Sequence, residues 1–175
     1  MNNTIQMYDA QAGSIKVKDI ATNDNNRIVL NRIKRNRADD NNKELLYIQN
    51  EHDENGEDCV DYIPEGAHDM GWLGYFVGKN NHLKELIIRD VDPPSGASVA
   101  EVLEPFLMRV GRNKSITKLA IRNMDLLGGR IFTMLVPFFE NNPALTNLTI
   151  YNEGDLDNEG WRLLALAMEV AKTNH

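Results

Sequence analysis

Cys59 is the only cysteine in the chain. This excludes an internal disulfide framework and any zinc site built on cysteine pairs. Long hydrophobic runs are missing as well, since no window approaches the roughly 18 consecutive apolar residues of a transmembrane helix. The start, Met1-Asn2-Asn3-Thr4, has neither a basic n-region nor an apolar h-region, so no signal peptide is read there and an intracellular setting is expected. Basic charge is not in excess either. The 19 Lys and Arg stand against 26 Asp and Glu, which argues against a strongly basic nucleic-acid binder. None of the four histidines, His52, His68, His82 and His175, has metal-ligand spacing. Nothing matches H-E-x-x-H, G-x-S-x-G or a phosphate loop, so no catalytic residue, metal or cofactor is assigned. What is plentiful is asparagine, with 21 residues in 175 against 18 leucines.

The charge is unevenly placed. Residues 27–37 hold five bases and no acid, whereas 44–78 hold nine acids and no Lys or Arg. A basic helix face and an acidic, solvated insertion at 51–69 account for both. Within the insertion, Asp53, Asn55 and Gly56 fall at calcium-loop positions 3, 5 and 6 counted from Glu51. Position 12 is then Tyr62, where a bidentate Glu is needed, so calcium is disfavoured.

A repeat organises the rest. Leu83-Lys84-Glu85-Leu86-Ile87-Ile88, Ile116-Thr117-Lys118-Leu119-Ala120-Ile121 and Leu145-Thr146-Asn147-Leu148-Thr149-Ile150 share one pattern, with starts 33 and 29 residues apart. A fourth copy, Lys43-Glu44-Leu45-Leu46-Tyr47-Ile48, lies 40 residues upstream of Leu83. Between these strand-like segments the apolar period changes from 2 to 3.6, as at Val99, Val102, Leu103, Phe106, Leu107 and Val110. Ile131, Leu135, Phe138 and Phe139 predict another helix, and Trp72, Leu73, Phe76 and Val77 a shorter one. Pro105 and Pro137 are expected to kink their helices or restart them. Gly71, Gly74 and Gly78 have a spacing suited to close helix packing. Asn80/Asn81, Asn113 and Asn141/Asn142 fall where helix gives way to strand, and are expected in the left-handed conformation of helix ends. Ile28, Val29, Leu30 and Ile33 suggest a capping helix over 26–36. Residues 1–25 are expected to be partly mobile, with a short strand around Ser14–Ile20. The tail Val170–His175 aligns with Val110–Ser115, so the array is expected either to have continued or to use its last helix as a cap.

Stacked units of this kind bury what one strand and one helix leave open. The expected inward ladders are Leu46/Leu86/Leu119/Leu148 and Ile48/Ile88/Ile121/Ile150. The leucine spacing, the period and Leu156-Asp157-Asn158-Glu159-Gly160 after the last copy resemble the leucine-rich repeat family in its ribonuclease-inhibitor-like form. The resemblance covers about residues 41–175. It implies an α/β solenoid, a right-handed βα superhelix with a parallel inner sheet of about four strands and outer helices. The units would be a cap at 26–42 and repeats at 43–82, 83–115, 116–144 and 145–175. The family's asparagine ladder departs, with Glu51, Val91, Met124 and Glu153 in its place. The family recognises ligands or proteins on a curved surface and brings no chemistry of its own.

Three outward columns would then cross the sheet: Leu45, Glu85, Lys118, Asn147; Tyr47, Ile87, Ala120, Thr149; and Gln49, Arg89, Arg122, Tyr151. The expectation is a non-enzymatic module that binds a protein partner through Tyr47, Glu85, Ile87, Arg89, Lys118, Arg122 and Tyr151. The alternatives are nucleic-acid binding by 27–37, or an accessory subunit of an enzyme.

Overall fold

The computed structural model describes residues 2–37, 44–49, 61–92, 96–122 and 128–151, with positions 162, 165, 166 and 169 beyond them. The calcium-like stretch 51–60 with His52 and Cys59, the turn at 156–160, and the tail 170–175 lie outside the described residues. The chain is α/β. Among the described residues the helices α1 (Asn2–Gln11), α2 (Asp24–Arg35), α3 (Ala67–Lys79), α4 (Val99–Val110) and α5 (Gly128–Asn141) accompany five strands. These are β1 (Leu45–Ile48), β2 (Asp61–Tyr62), β3 (Glu85–Arg89), β4 (Lys118–Arg122) and β5 (Asn147–Tyr151). They form one all-parallel sheet in the order β2-β1-β3-β4-β5.

The register is the one the repeat predicts. Leu46, Leu86, Leu119 and Leu148 pair across the sheet, as do Ile48, Ile88, Ile121 and Ile150. Their side chains enter a single core with Leu73, Val77, Leu103, Phe106, Val110, Leu135 and Phe138 from the helices. Fully burying each leucine or isoleucine contributes about 1.5–3 kcal/mol before entropy is counted. Helices adjacent in sequence pack side by side, α2 on α3, α3 on α4 and α4 on α5. The glycines of α3 allow the closest approach. A Cβ on Gly74 would lie 2.7 Å from the Phe106 backbone, and one on Gly78 2.5 Å from the Arg109 carbonyl.

Several expectations are corrected. Among the described residues the sheet has five strands, because β2 rises from the end of the acidic segment and pairs with β1. Its Tyr62 is fully buried, and the neighbouring Asp61 and Asp69 are buried as well, so 61–69 is no solvated loop. No strand forms around Ser14–Ile20. A 3-10 turn, Val17–Asp19, sits there with Ile20 N–H donating to Val17 O at 3.0 Å. In α2, Val29, Leu30 and Ile33 are buried but Ile28 is 66% exposed, since it falls outside the i, i+3, i+4 stripe completed by the buried Asn26. Neither proline restarts a helix; α4 runs through Pro105 and α5 through Pro137. At 13 residues α3 is not short.

The asparagines do something other than adopt the left-handed conformation. Among the described residues only Asn36 of this type has a positive φ, at 46°, while Asn80 is extended. Asn80, Asn113 and Asn142 are instead buried bridges between neighbouring units. Each Oδ1 accepts amide hydrogens from the residues entering the next strand: His82 and Leu83 for Asn80, Ser115 and Ile116 for Asn113, Ala144 for Asn142. Each Nδ2 donates backwards to the preceding unit. Asn80 reaches Ile33 O at 3.0 Å, Asn113 reaches Val77 O at 2.7 Å and Asn80 O at 2.8 Å, and Asn142 reaches Ile116 O at 2.9 Å. A buried backbone group needs such a partner, and a side-chain amide satisfies donors and acceptors together.

Candidate functional site

The outward columns form as expected, but not every member is accessible. Leu45, Glu85, Lys118 and Asn147 are in register, as are Tyr47, Ile87, Ala120 and Thr149. Ile87 is only 4% exposed and Ala120 8%, so these two offer little contact surface, whereas Tyr47 is half-buried and Thr149 exposed. In the first column, Lys118 Nζ lies 3.5 Å from Glu85 Oε2, a partly exposed pair across β3 and β4. The third column is the most polar. Arg89 Nε donates to Gln49 Oε1, and the Arg89 guanidinium stands 5.6 Å from the Tyr47 ring centroid. Arg122 lies directly opposite Arg89, and Tyr151 opposite Arg122. Arg122 and Tyr151 are exposed, Tyr151 by 57%, and neither side chain has a hydrogen bond, ion pair or ring partner among the described residues.

A shallow groove of about 390 Å³ opens at the amino end of the strands, lined by Glu44, Leu45, Lys84, Glu85, Thr117 and Lys118. Glu44, Lys84 and Thr117 were not among the expected contact residues. Their signal is positional, because each immediately precedes an outward strand residue. Their carbonyls have a structural task. Glu44 O accepts from Lys84 N and Glu85 N, Lys84 O from Thr117 N and Lys118 N, and Thr117 O from Thr146 N and Asn147 N, at 2.7–3.0 Å.

The basic segment of α2 is largely engaged in the fold. Arg27 Nε donates to Ala21 O at 2.9 Å and its Nη1 pairs with Asp24. Arg32 Nη2 donates to Leu45 O at 3.0 Å, and Lys34 Nζ to Ile15 O at 2.8 Å.

The perturbed acids lie away from the sheet's outward columns. Burial alone would raise the Glu65 carboxyl, but hydrogen bonds from Thr22, Asn23 and Asn26 hold it below the usual glutamate range. Those bonds seat Glu65 at the start of α2, where Asn23 N donates at 3.0 Å and Asn26 Nδ2 at 2.9 Å. Burial raises Asp69, whose Oδ2 accepts from Tyr62 Oη and Glu65 N, both at 3.0 Å. Asp9 is held below its ordinary value by hydrogen bonds from Lys79 and Tyr75. Perturbed groups often mark active sites, yet each of these joins one structural element to another.

Among the described residues no three His, Cys, Asp or Glu side chains lie close enough to hold a metal ion, and no helix is long and apolar enough to cross a membrane. No protein-family model matches the chain, and no curated protein matches it.

Proposed function

We propose that the chain is a non-catalytic, intracellular recognition module, a leucine-rich-repeat-like solenoid that binds a protein partner through the exposed face of its parallel sheet. The observation that carries this reading is the third column. Arg89 and Arg122 stand opposite one another on neighbouring strands, where like charges repel. Arg122 and Tyr151 have no side-chain partner among the described residues, and arginine and tyrosine are preferred anchors at protein interfaces. Lys118 and Glu85 extend the same face toward the amino ends of the strands, and Tyr47 supports Arg89 from beneath.

The test is quantitative capture of partners by the wild-type chain and by the Arg122→Ala/Tyr151→Ala double variant, followed by titration of the captured protein. Each substitution is expected to weaken binding by about 1–2 kcal/mol, roughly 5–30-fold in Kd, with the melting temperature unchanged. Full affinity in the double variant would move the interface to another surface.

A further inference from the structure

The helix layer has one member unlike the others. In α4 the stripe Val99, Val102, Leu103, Phe106, Leu107 and Val110 is buried while Glu101 and Met108 are exposed, and in α5 Leu135, Phe138 and Phe139 are buried while Glu140 is exposed, whereas α3 is buried continuously from Asp69 to Gly78. A helix that is apolar on every side needs cover on every side. The side of α3 that carries Gly71, Trp72 and Tyr75 is covered by α1. The cover is thin. Of the described side chains in α1, residues 6–11, only Tyr8 is buried, and Met7 is 44% exposed.

Tyr8 and Asp9 do the docking. The Tyr8 ring lies 4.4 Å from Trp72, edge to face, and 5.6 Å from Tyr75, stacked. The Arg109 guanidinium stands 4.4 Å from the Tyr8 centroid on the α4 side. Gly71 leaves room for the phenol, since a Cβ there would be 2.5 Å from Tyr8 Oη. Asp9 Oδ1 accepts from Lys79 Nζ at 2.6 Å and from Tyr75 Oη at 2.8 Å, with Arg112 adding positive potential. The groove thus selects an aromatic ring followed by a carboxylate, between a wall of α3 rings and a rim of Lys79, Arg109 and Arg112. With ten residues, α1 is shorter than an isolated helix needs to persist in water.

We infer that α1 is an internal pseudo-ligand. It occupies a second docking groove, on the helix side of the molecule, whose external ligand is a partner's helical segment with a tyrosine followed by an acidic residue. That ligand competes with α1, so the groove is masked until α1 is displaced. This inference is independent of the sheet-face reading.

The experiment uses the 175-residue chain and a synthetic peptide of residues 2–14 as the probe, followed by fluorescence anisotropy. The Tyr8→Ala chain, its internal anchor removed, is expected to bind the peptide at least about tenfold more tightly than the wild-type chain does, because an internal competitor acts at a high effective concentration. A peptide carrying Tyr8→Ala or Asp9→Asn is expected to lose that binding. Equal binding by wild-type and Tyr8→Ala chains overturns the inference. So does a Tyr8→Ala chain that melts cooperatively like the wild type and takes up no peptide. Should Tyr8→Ala not fold, hydrogen exchange on the wild-type chain decides. Amides of α1 are expected to exchange at least about tenfold faster than those of α3, through local release; exchange of α1 only together with α3 refutes a displaceable cover.

Discussion

Asn80, Asn113 and Asn142 at the start of the strands and Arg89 and Arg122 at their far end are the same kind of feature. Each is a polar residue at one fixed place in successive units, separated by the same repeat. The fates of the asparagines and of Arg122 are opposite. The asparagines are buried and bridge two units, with Asn113 meeting the backbone of Val77, Asn80, Ser115 and Ile116 at once. The arginines stand at the rim, and Arg122 is bound to no other side chain among the described residues. A repeated polar position is therefore structural or available according to whether its hydrogen-bonding capacity is closed within the array. The repeat pattern alone does not separate the two.

The sharpest way to break this comparison is Asn113→Ala. Ser115 N and Ile116 N lose their acceptor, while Val77 O and Asn80 O keep Asn80 N and Ser115 Oγ as donors, so at about 1–3 kcal/mol for each amide left unsatisfied the loss should reach roughly 3 kcal/mol. Asn142→Ala, which removes bonds to Ile116 O and Ala144 N only, should cost about 1–2 kcal/mol. Urea denaturation of both variants checks the order; equal losses would mean that the bridges are incidental.

Glu65 sharpens the comparison with a charge that is closed like the asparagines. Its folded-state pKa is lowered, so its contribution is present above the unfolded glutamate value near 4.3 and is lost as pH falls through the lower folded value. Glu65→Gln should cost about 1 kcal/mol at neutral pH, as for loss of a helix cap. It should also flatten the acid side of a melting-temperature profile, whereas a variant profile parallel to that of the wild type below pH 4 would contradict the assignment.

The smallest effect is expected at the open end. Arg122→Ala should change stability by less than about 0.5 kcal/mol, as at exposed positions free of structural contacts. It should even relieve the repulsion across from Arg89. A loss as large as that of Asn113→Ala would show Arg122 to be part of the framework.

The ladders were legible because leucine and isoleucine recur at fixed strand positions in every copy, and a one-residue slip would turn them outward. The outward columns follow from the same alternation, so Arg89, Arg122 and Tyr151 were legible with them. The asparagines were visible as punctuation, but their bond to the preceding unit depends on stacking, which no local propensity encodes. The strand β2 was missed because it is two residues long within an acidic run, and only the burial of Tyr62 and Asp69 explains it. The docking of α1 was missed because a single tyrosine produces no periodicity. Ile87 was read as a contact residue from its place in a column, and the closing of its neighbours over it is a property of the assembled sheet.

The junction at Asn80, Asn113 and Asn142 has a further consequence. From each asparagine to the apolar residue opening the next strand segment (Leu83, Ile116 and Leu145) the interval is three residues, although the units themselves differ in length. Length variation is thus excluded from the amino ends of β3, β4 and β5 and left to the segments that follow the carboxyl ends. Lengthening the segment after β3 between the buried Val91 and the Ser98 cap of α4 would keep the ladder register and alter the border around Arg89 and Arg122. The molecule has one edge that resists editing and one that tolerates it, and the tolerant edge is the one where new specificity can be built without redesigning the core.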